Sequence, residues 1–251
     1  MAKFTLLEMV QDVLNDLDSD EVNSINDTIE SQQVAQIIKT SYYAMLSNRN
    51  WPHTRRVTQL DAANDLTKPN YLKIPSNWKE MENFKYDKAK FGATSIDTRD
   101  VIYKNPDDFL RYVSFRNSGN SNVRTVSDFS GVKLLIVNDA APTYWTSFDD
   151  QYIVTDSYDS AVDTTLQKNK TQCLAYVEPS WSVSDTFIPD LPTEAFIALV
   201  EEAKSAASLK LKQTADQKAE QRSVKQQRWL SRKAWSAKGG VDYPNYGRRR
   251  P

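Results

Sequence analysis

The sequence contains little of the side-chain chemistry on which most enzymes depend. Among its 251 residues there is one histidine, His53, and one cysteine, Cys173. A single cysteine excludes an internal disulfide and any metal site built from several cysteines. A Ser-His-Asp or Cys-His catalytic system would have to use His53, and a zinc site would need ligands that the chain lacks. We therefore expect no metal, no cofactor and no enzymatic activity, and we interpret His53, beside Trp51 and Pro52, as a structural residue.

Glycine and long apolar runs are also scarce. The six glycines form no P-loop and no dinucleotide-binding motif, and Gly131 stands alone. No run of about 18 apolar residues occurs, so the sequence predicts no membrane span. Glu8 and Asp12 interrupt the apolar stretch at the N-terminus, which does not fit a signal peptide. We expect a soluble protein made in the cytoplasm.

Charge is distributed unevenly along a chain whose net charge is −1. Residues 201–251 hold 13 of the 32 Lys and Arg and 5 of the 33 Asp and Glu, so this end carries +8 and the first 200 residues carry −9. An acidic body with a basic end favours head-to-tail self-association or an acidic partner, and it permits contact with nucleic acid. The six tryptophans suggest extensive packed or interfacial surface.

The N-terminal region, residues 1–54, has the pattern of a helical hairpin. Thr5 and Glu8 predict a capping box at the start of the first helix, and Asn26 or Asp27 is the predicted N-cap of the second. The predicted apolar stripes are Leu6, Val10, Val13, Leu14 and Leu17 in the first helix, and Ile29, Val34, Ile37, Ile38, Tyr42 and Met45 in the second. Two such helices joined by a short acidic loop are expected to pair.

Residues 55–188 consist of short β-rich runs separated by Asn, Asp, Gly and Pro. This pattern predicts a mainly antiparallel β domain inserted between helices, interrupted where Asn105 and Pro106 open a short helix. One constellation there could carry chemistry: Asp149, Asp150, Asp156, Asp159 and Asp163. Paired carboxylates could cleave a glycosidic bond or hold a divalent cation, but the spacing fits no calcium loop. We favour ordinary turn chemistry for these aspartates.

Helical periodicity returns after Pro192, with Thr193 as the predicted N-cap. Residues 189–238 are expected to form long helices that pack with the N-terminal hairpin in a bundle, so the predicted fold class is α+β. The later of these helices is so polar that it should project or pair with other subunits. The residues expected at bundle or subunit contacts are Trp51, Phe196, Val200, Trp229 and Trp235.

The final segment, residues 239–251, is predicted to be an extended arm rather than a helix. Gly239 and Gly240 permit a helix to end, and Pro244 lacks the N–H group that a helix interior needs. The predicted docking residues are Val241, Tyr243, Pro244, Tyr246, Arg248, Arg249 and Arg250. The alternative is a frayed terminus with a chance run of arginines.

The layout resembles the head-to-tail adaptor proteins of short-tailed bacteriophages, also called tail tubular A or gatekeeper proteins. Four segments carry the resemblance: "NRNWPHTRR", "PTYWTSFDDQYIVTDSYDS", "LPTEAFIALVEEAKSAASLKL" and "GGVDYPNYGRRRP". In the family, the segment like the first one leads helix two into the first strand, and the segment like the last one is the arm that grips the portal. The β insertion is larger here than in the compact members.

The resemblance implies a structural protein of the virion neck, assembled in the host cytoplasm. Family members form a dodecameric ring under the portal protein, extend the DNA channel and offer a platform for the tail nozzle and fibres. Genome DNA would pass through without sequence-specific binding, and no membrane is involved. Two alternatives remain open from the residues: a nucleic-acid-binding protein that uses the basic C-terminal helix and tail, and a carbohydrate-active enzyme built on residues 149–163.

Overall fold

The computed structural model describes residues 3–89, 94–214 and 216–237, with side chains described up to Ser231. The protein is a mixed α+β protein, as predicted. It divides into a helical unit, Met1–Thr54 with Pro179–Pro251, and a β unit, Arg55–Glu178. The described helices are α1 (Leu6–Asp16), α2 (Ile29–Ser47), α3 (Pro106–Ser114), α4 (Ala195–Leu211) and α5 (Gln217–Ala237). None of the helices in these described ranges is long and apolar enough to cross a membrane.

The β unit ends at Glu178, ten residues before the end predicted from the sequence, which was residue 188. The intervening segment belongs with the helices because its side chains pack against their core. Trp181 and Phe187 pack edge to face with ring centroids 5.0 Å apart, and both contact that core. The backbone N–H of Leu6 also donates to the carbonyl oxygen of Phe187 at 2.7 Å.

Helix α1 begins at the predicted capping box. The N–H of Thr5 donates to Oε2 of Glu8 at 2.7 Å, and the N–H of Glu8 donates to Oγ1 of Thr5 at 3.2 Å. These two bonds satisfy donors that the first turn of a helix otherwise leaves unpaired. The whole predicted stripe is buried: Leu6, Val10, Val13, Leu14 and Leu17.

Helix α2 begins one or two residues later than predicted, because Thr28 is its N-cap. Oγ1 of Thr28 accepts the N–H of Ser31 at 3.0 Å, and Oγ of Ser31 accepts the N–H of Thr28 at 3.2 Å. Asp27, one of the two predicted caps, instead accepts the N–H groups of Asn23 and Ser24 and closes the preceding turn. Ile29 is 75% exposed and was wrongly included in the stripe, while the other five predicted residues are buried.

Helix α4 begins at Ala195, so Thr193 is not its cap. Glu194 occupies the N-cap position and makes no side-chain capping bond to the helix, and the carbonyl of Pro192 accepts the N–H of Ala195 at 2.8 Å. Its buried face alternates large and small side chains: Ala195, Phe196, Ala198, Leu199, Val200, Ala203 and Ala207. Alanine at these positions allows neighbouring helices to approach closely, and α1, α2 and α5 all contact α4.

The described residues of the β unit form three sheets. Its described strands are β1 (Arg55–Thr58), β2 (Asp61–Ala62), β3 (Tyr71–Lys73), β4 (Trp78–Asp87), β5 (Thr98–Asp100), β6 (Ile102–Tyr103), β7 (Val123–Ser127), β8 (Lys133–Val137), β9 (Tyr144–Thr146), β10 (Tyr152–Thr155) and β11 (Thr171–Val177). The sheet orders are β1-β11-β4-β5, β2-β3-β10-β9-β6 and β7-β8. Among the described pairs only β6 and β9 run parallel, so the prediction of a mainly antiparallel domain is confirmed.

A second apolar core lies within the β unit. Phe109 of α3 is fully buried in it, and α3 opens at Asn105 with Pro106 in its first turn, as predicted. Cys173 of β11 belongs to this core and is 1% exposed. Burial raises the pKa of the Cys173 thiol to about 12, so this cysteine is a packing residue and a poor nucleophile.

Candidate functional site

The C-terminal helices α4 and α5 form an antiparallel pair with a polar interface. Oγ of Ser223 and Nε2 of Gln227, both on α5, donate to Oε2 of Glu202 on α4, and Nη1 of Arg222 pairs with Oε1 of Glu201 at 3.4 Å. Farther along the pair, Trp229 lies in a groove beside Ile197. Because these bonds tie specific residues together, a helix with few apolar side chains still has a defined register on α4.

The two faces of α5 differ in character. Ala219, Ser223 and Leu230 are buried against the helical unit. The outer face carries four exposed basic side chains, Lys218, Arg222, Lys225 and Arg228, and one exposed acidic side chain, Glu220. It also carries two exposed apolar ones, Val224 and Trp229. An exposed tryptophan among arginines is the composition typical of protein interfaces.

The opposite flank of α4 carries the opposite charge. Nζ of Lys204 on α4 pairs with Asp12 at 3.1 Å and with Asp16 at 2.8 Å, both on α1. Burial lowers the pKa of Lys204, but the hydrogen bonds and charges of Asp16 and Asp12 outweigh it and raise the pKa above its ordinary value. Asp12 and Asp16 are themselves about half exposed, and the loop after α1 adds three exposed acidic residues: Asp18, Asp20 and Glu21.

The positions of Glu202 and Lys204 show how these surfaces are arranged. Residues two apart on a helix point about 200° apart, so α5 and α1 lie on opposite sides of α4. We call the outer residues of α5, from Lys218 to Trp229, the basic face, and Asp12 to Glu21 the acidic end. The helical unit therefore presents a basic and an acidic surface on opposite flanks.

The predicted packing residues divide into core and surface. Phe196 and Val200 are buried in the helical core, and Trp51 is 4% exposed there. Trp229 is 48% exposed, because its neighbour Leu230 takes the inward position on α5. Trp229 therefore remains a candidate for contact with another subunit and is not part of the bundle core.

Several predicted residues lie outside the described part of the chain. The side chain of Trp235, on α5, is one of them. The others are all the residues of the predicted docking arm: Val241, Tyr243, Pro244, Tyr246, Arg248, Arg249 and Arg250. Their roles stay predictions.

The aspartates of residues 149–163 have separate local partners. Asp149 accepts the N–H groups of Gln151 and Tyr152 at 3.0 and 2.9 Å, and Asp163 pairs with Lys170 at 2.6 Å. Asp159 accepts the N–H of Ala161 at 3.0 Å, and Asp150 takes a left-handed backbone conformation with φ of 57°. These are turn and pairing roles, in agreement with the turn chemistry favoured from the sequence.

Asp156 is buried and anchors the middle of the β unit. Its Oδ2 pairs with Nη2 of Arg116 at 2.9 Å, and its Oδ1 accepts the N–H groups of Thr143 and Tyr144 at 3.0 and 2.8 Å. Arg116 also donates to the carbonyl oxygens of Leu135 and Asp156. The ion pair of Arg116 and Asp156, together with the hydrogen bonds of both side chains, thus links four places in the β unit: the end of α3, strand β8, the start of β9 and the residue after β10.

We expect Asp156→Asn to destabilise the β unit by about 1.5–3 kcal/mol, because charge-assisted hydrogen bonds weaken and one amide N–H₂ faces backbone donors. Asp150→Asn is the matched control and should change stability by less than about 0.5 kcal/mol, since asparagine tolerates a left-handed backbone. Urea unfolding followed by circular dichroism measures both. Equal midpoints for the two variants would contradict the structural role of Asp156.

His53 lies close to Trp51, with ring centroids 6.0 Å apart. It belongs to the short 3-10 turn Pro52–Thr54, which follows α2 and precedes β1 in the chain. Within the described residues, no group of three or more His, Cys, Asp and Glu side chains is arranged to hold a metal ion. The turn position of His53 is compatible with the structural role expected from the sequence.

Comparison with known proteins assigns no family. No protein-family model matches the chain, and the search of curated proteins returns no match. The function is therefore inferred from the charge distribution, the exposed aromatic residues and the resemblance in layout.

Proposed function

We propose that this chain is a structural head-to-tail adaptor of a short-tailed bacteriophage. The helical hairpin and the C-terminal helices form a bundle, copies of the chain close into a ring, dodecameric as in the family it resembles, and the arm of residues 239–251 docks onto the portal protein. The ring extends the DNA channel, DNA passes without sequence-specific binding, and the far side carries the tail nozzle or fibres. The adaptor is not an enzyme and resides in the virion neck.

The observation that supports a ring best is the placement of opposite charges on opposite flanks of α4. Ring closure requires a heterologous interface, in which one surface of a subunit meets a different surface of the next. The basic face and the acidic end are complementary in this way, and steering between them favours one orientation of approach. Trp229 and Val224 supply exposed apolar area within the basic face.

Charge reversal tests this arrangement. We expect Lys225→Glu with Arg228→Glu, and separately Asp18→Lys with Asp20→Lys, to prevent ring formation, because each places like charges across every interface. A chain carrying all four changes should form rings again, since the charges are then complementary in the reversed sense. Negative-stain microscopy and mass photometry, with and without portal rings, give the readout.

Lys133→Glu is the control, because it changes charge at an exposed position of the β unit. It should leave the rings unaffected. A wild-type protein that stays monomeric even with portal rings would contradict the proposal. Rings that persist in both doubly reversed variants would contradict the interface proposed for them.

A nucleic-acid-binding protein is the second candidate, and the same basic face supports it. Each phosphate contact would make affinity fall steeply with salt, and Trp229 would be available to stack on a base. In that case the Lys225→Glu and Arg228→Glu changes should weaken binding to single-stranded DNA, while the Asp18→Lys and Asp20→Lys changes should not. If the protein is an adaptor, both pairs of changes should prevent ring assembly.

A further inference from the structure

The β unit contains a hollow of about 390 Å³ that none of the roles above uses. Its walls come from β3, β8, β10, α3 and the loops after β7 and β9. The side chains that give it its character are Tyr71, Asp128, Phe129, Phe148, Asp149 and Tyr152. A concave, mostly apolar hollow of this size with a few polar groups has the usual form of a ligand site.

Three aromatic rings pack on one another at this hollow. The ring centroids of Phe129 and Tyr152 are 4.9 Å apart, those of Tyr71 and Phe129 are 5.7 Å apart, and those of Tyr71 and Tyr152 are 6.4 Å apart. Tyr71 is buried, but Phe129 is 57% exposed and Phe148, on another wall, is 38% exposed. Exposed aromatic area gathered around a concave surface indicates a surface that a partner covers.

Two carboxylates converge on the same place. Oδ1 of Asp128 accepts the hydroxyl of Tyr71 at 2.7 Å, and its Oδ2 accepts Oγ of Ser130 at 2.8 Å. Burial alone would raise the pKa of Asp128, but the hydrogen bonds from Tyr71 and Ser130 outweigh it and hold the pKa below its ordinary value. Burial, followed by the bond to Asp128 and the charges of Asp128 and Asp149, raises the pKa of Tyr71. The hollow is therefore negatively charged and keeps its phenol neutral.

A cation already uses one of these rings. Nζ of Lys68 lies 4.4 Å from the centroid of Phe129, a distance at which an ammonium group is attracted to the face of the ring. The electron-rich faces of the aromatic rings and the two carboxylates favour the same kind of ligand. That ligand carries a positive charge on a group that also has apolar surface.

We propose that this hollow binds an arginine side chain presented by a partner protein. A guanidinium group is planar, stacks on aromatic faces and bonds to carboxylates at the same time, whereas an ammonium group is more strongly hydrated. The methylene stem of arginine would cover Val132 and Phe148 at the mouth of the hollow. Arginine is also enriched among the residues that dominate binding at protein interfaces.

A titration of the full-length protein with Nα-acetyl-arginine N-methylamide tests the proposal. The methyl groups of Val132, Leu134 and Val154 line the hollow and serve as reporters in ¹³C methyl NMR spectra. We expect saturable shifts of these methyls with the arginine probe. The matched probe is the citrulline analogue, which has nearly the same shape without the charge, and it should bind at least about fivefold more weakly.

Variants of the two carboxylates complete the test. Asp128→Asn and Asp149→Asn should each weaken arginine binding about fivefold, the loss expected for a partly exposed ion pair, while Asp139→Asn, at an exposed position away from the hollow, should bind like the wild type. Asp149→Asn remains informative if Asp128→Asn perturbs the fold, because the bonds described for Asp149 come from backbone N–H groups, which an amide oxygen also accepts. Equal shifts with citrulline, no saturable shifts, or a wild-type affinity in the Asp149 variant would overturn the proposal.

Discussion

Replacing Trp51 by alanine is expected to destabilise the helical unit by about 3–5 kcal/mol, the usual cost of deleting a large buried aromatic side chain. The indole is 4% exposed and belongs to the core formed by α1, α2 and α4. Its Nε1–H donates to the carbonyl oxygen of Met45 at 2.9 Å, near the C-terminal end of α2. The substitution would leave a cavity in the core of the helical unit, close to the end of α2.

Two further variants separate volume from hydrogen bonding in this prediction. Trp51→Phe keeps most of the ring and should cost about 1 kcal/mol for the lost bond, in addition to a smaller packing loss. Trp229→Ala removes a tryptophan that is 48% exposed and should cost less than about 1 kcal/mol. Thermal and urea unfolding monitored at 222 nm reports the helical transition. If Trp51→Ala unfolds at the wild-type midpoint, Trp51 does not hold this unit together.

Deleting Val241 to Pro251 is expected to leave the fold intact and to abolish assembly onto the portal. The deleted residues follow the last described helix, so no contact described in either core is removed. The arm, from Gly239 at about 3.3 Å per residue, could reach roughly 40 Å, enough to lie along a neighbouring protein. The proposed assembly depends on that reach.

The free energy of docking a single arm explains why many arms on one ring are needed for a stable joint. Ordering the arm costs about 1–2 kcal/mol per residue. Burial of Val241, Tyr243 and Tyr246 would return about 1.5–3 kcal/mol each, and strand addition to the partner would contribute more. One arm is therefore marginal, whereas many arms on one ring gain through effective concentration. Arg248 to Arg250 would add bidentate pairs with acidic residues of the portal.

Truncated and arm-variant proteins are compared by sedimentation with portal rings and by recovery of filled heads. A chain whose last eleven residues are scrambled keeps length and charge, and it should fail as the truncation does if the tyrosines are anchors. Replacing Arg248, Arg249 and Arg250 by alanine should weaken docking without abolishing it. Filled heads that retain the truncated protein would contradict the docking role of the arm.

Local sequence patterns predicted which helices form more accurately than they predicted the residue at which each helix begins. The capping box of Thr5 and Glu8 was found because both partners lie within one turn. The cap of α2 was misplaced because Asp27 and Thr28 are both good capping residues. In the structure, the carboxylate of Asp27 accepts the N–H groups of Asn23 and Ser24 in the preceding turn. Thr28 is therefore the residue that caps α2.

The candidate surfaces were less accessible to sequence reasoning. The uneven distribution of charge could be read from the sequence. The sequence did not show that α1 contacts α4 at Lys204 while α5 contacts α4 at Glu202, on the opposite side of the helix. The spacing of Ala219, Ser223, Gln227 and Leu230, three or four residues apart, was the local signal that α5 has an inward face. The hollow gave no signal at all, because Tyr71 and Asp128 are 57 positions apart in the chain.

The sequence by itself determined the α+β class, the helical stripes of α1 and α2, the mainly antiparallel insertion and the charge of each end. These properties depend on side-chain periodicity and composition, which short stretches of chain specify. Only the tertiary structure decided that Thr28 caps α2, that Trp229 faces outward and that Asp128 and Asp149 meet at one aromatic hollow. Such facts depend on which distant residues come into contact, and packing of the whole unit selects those contacts.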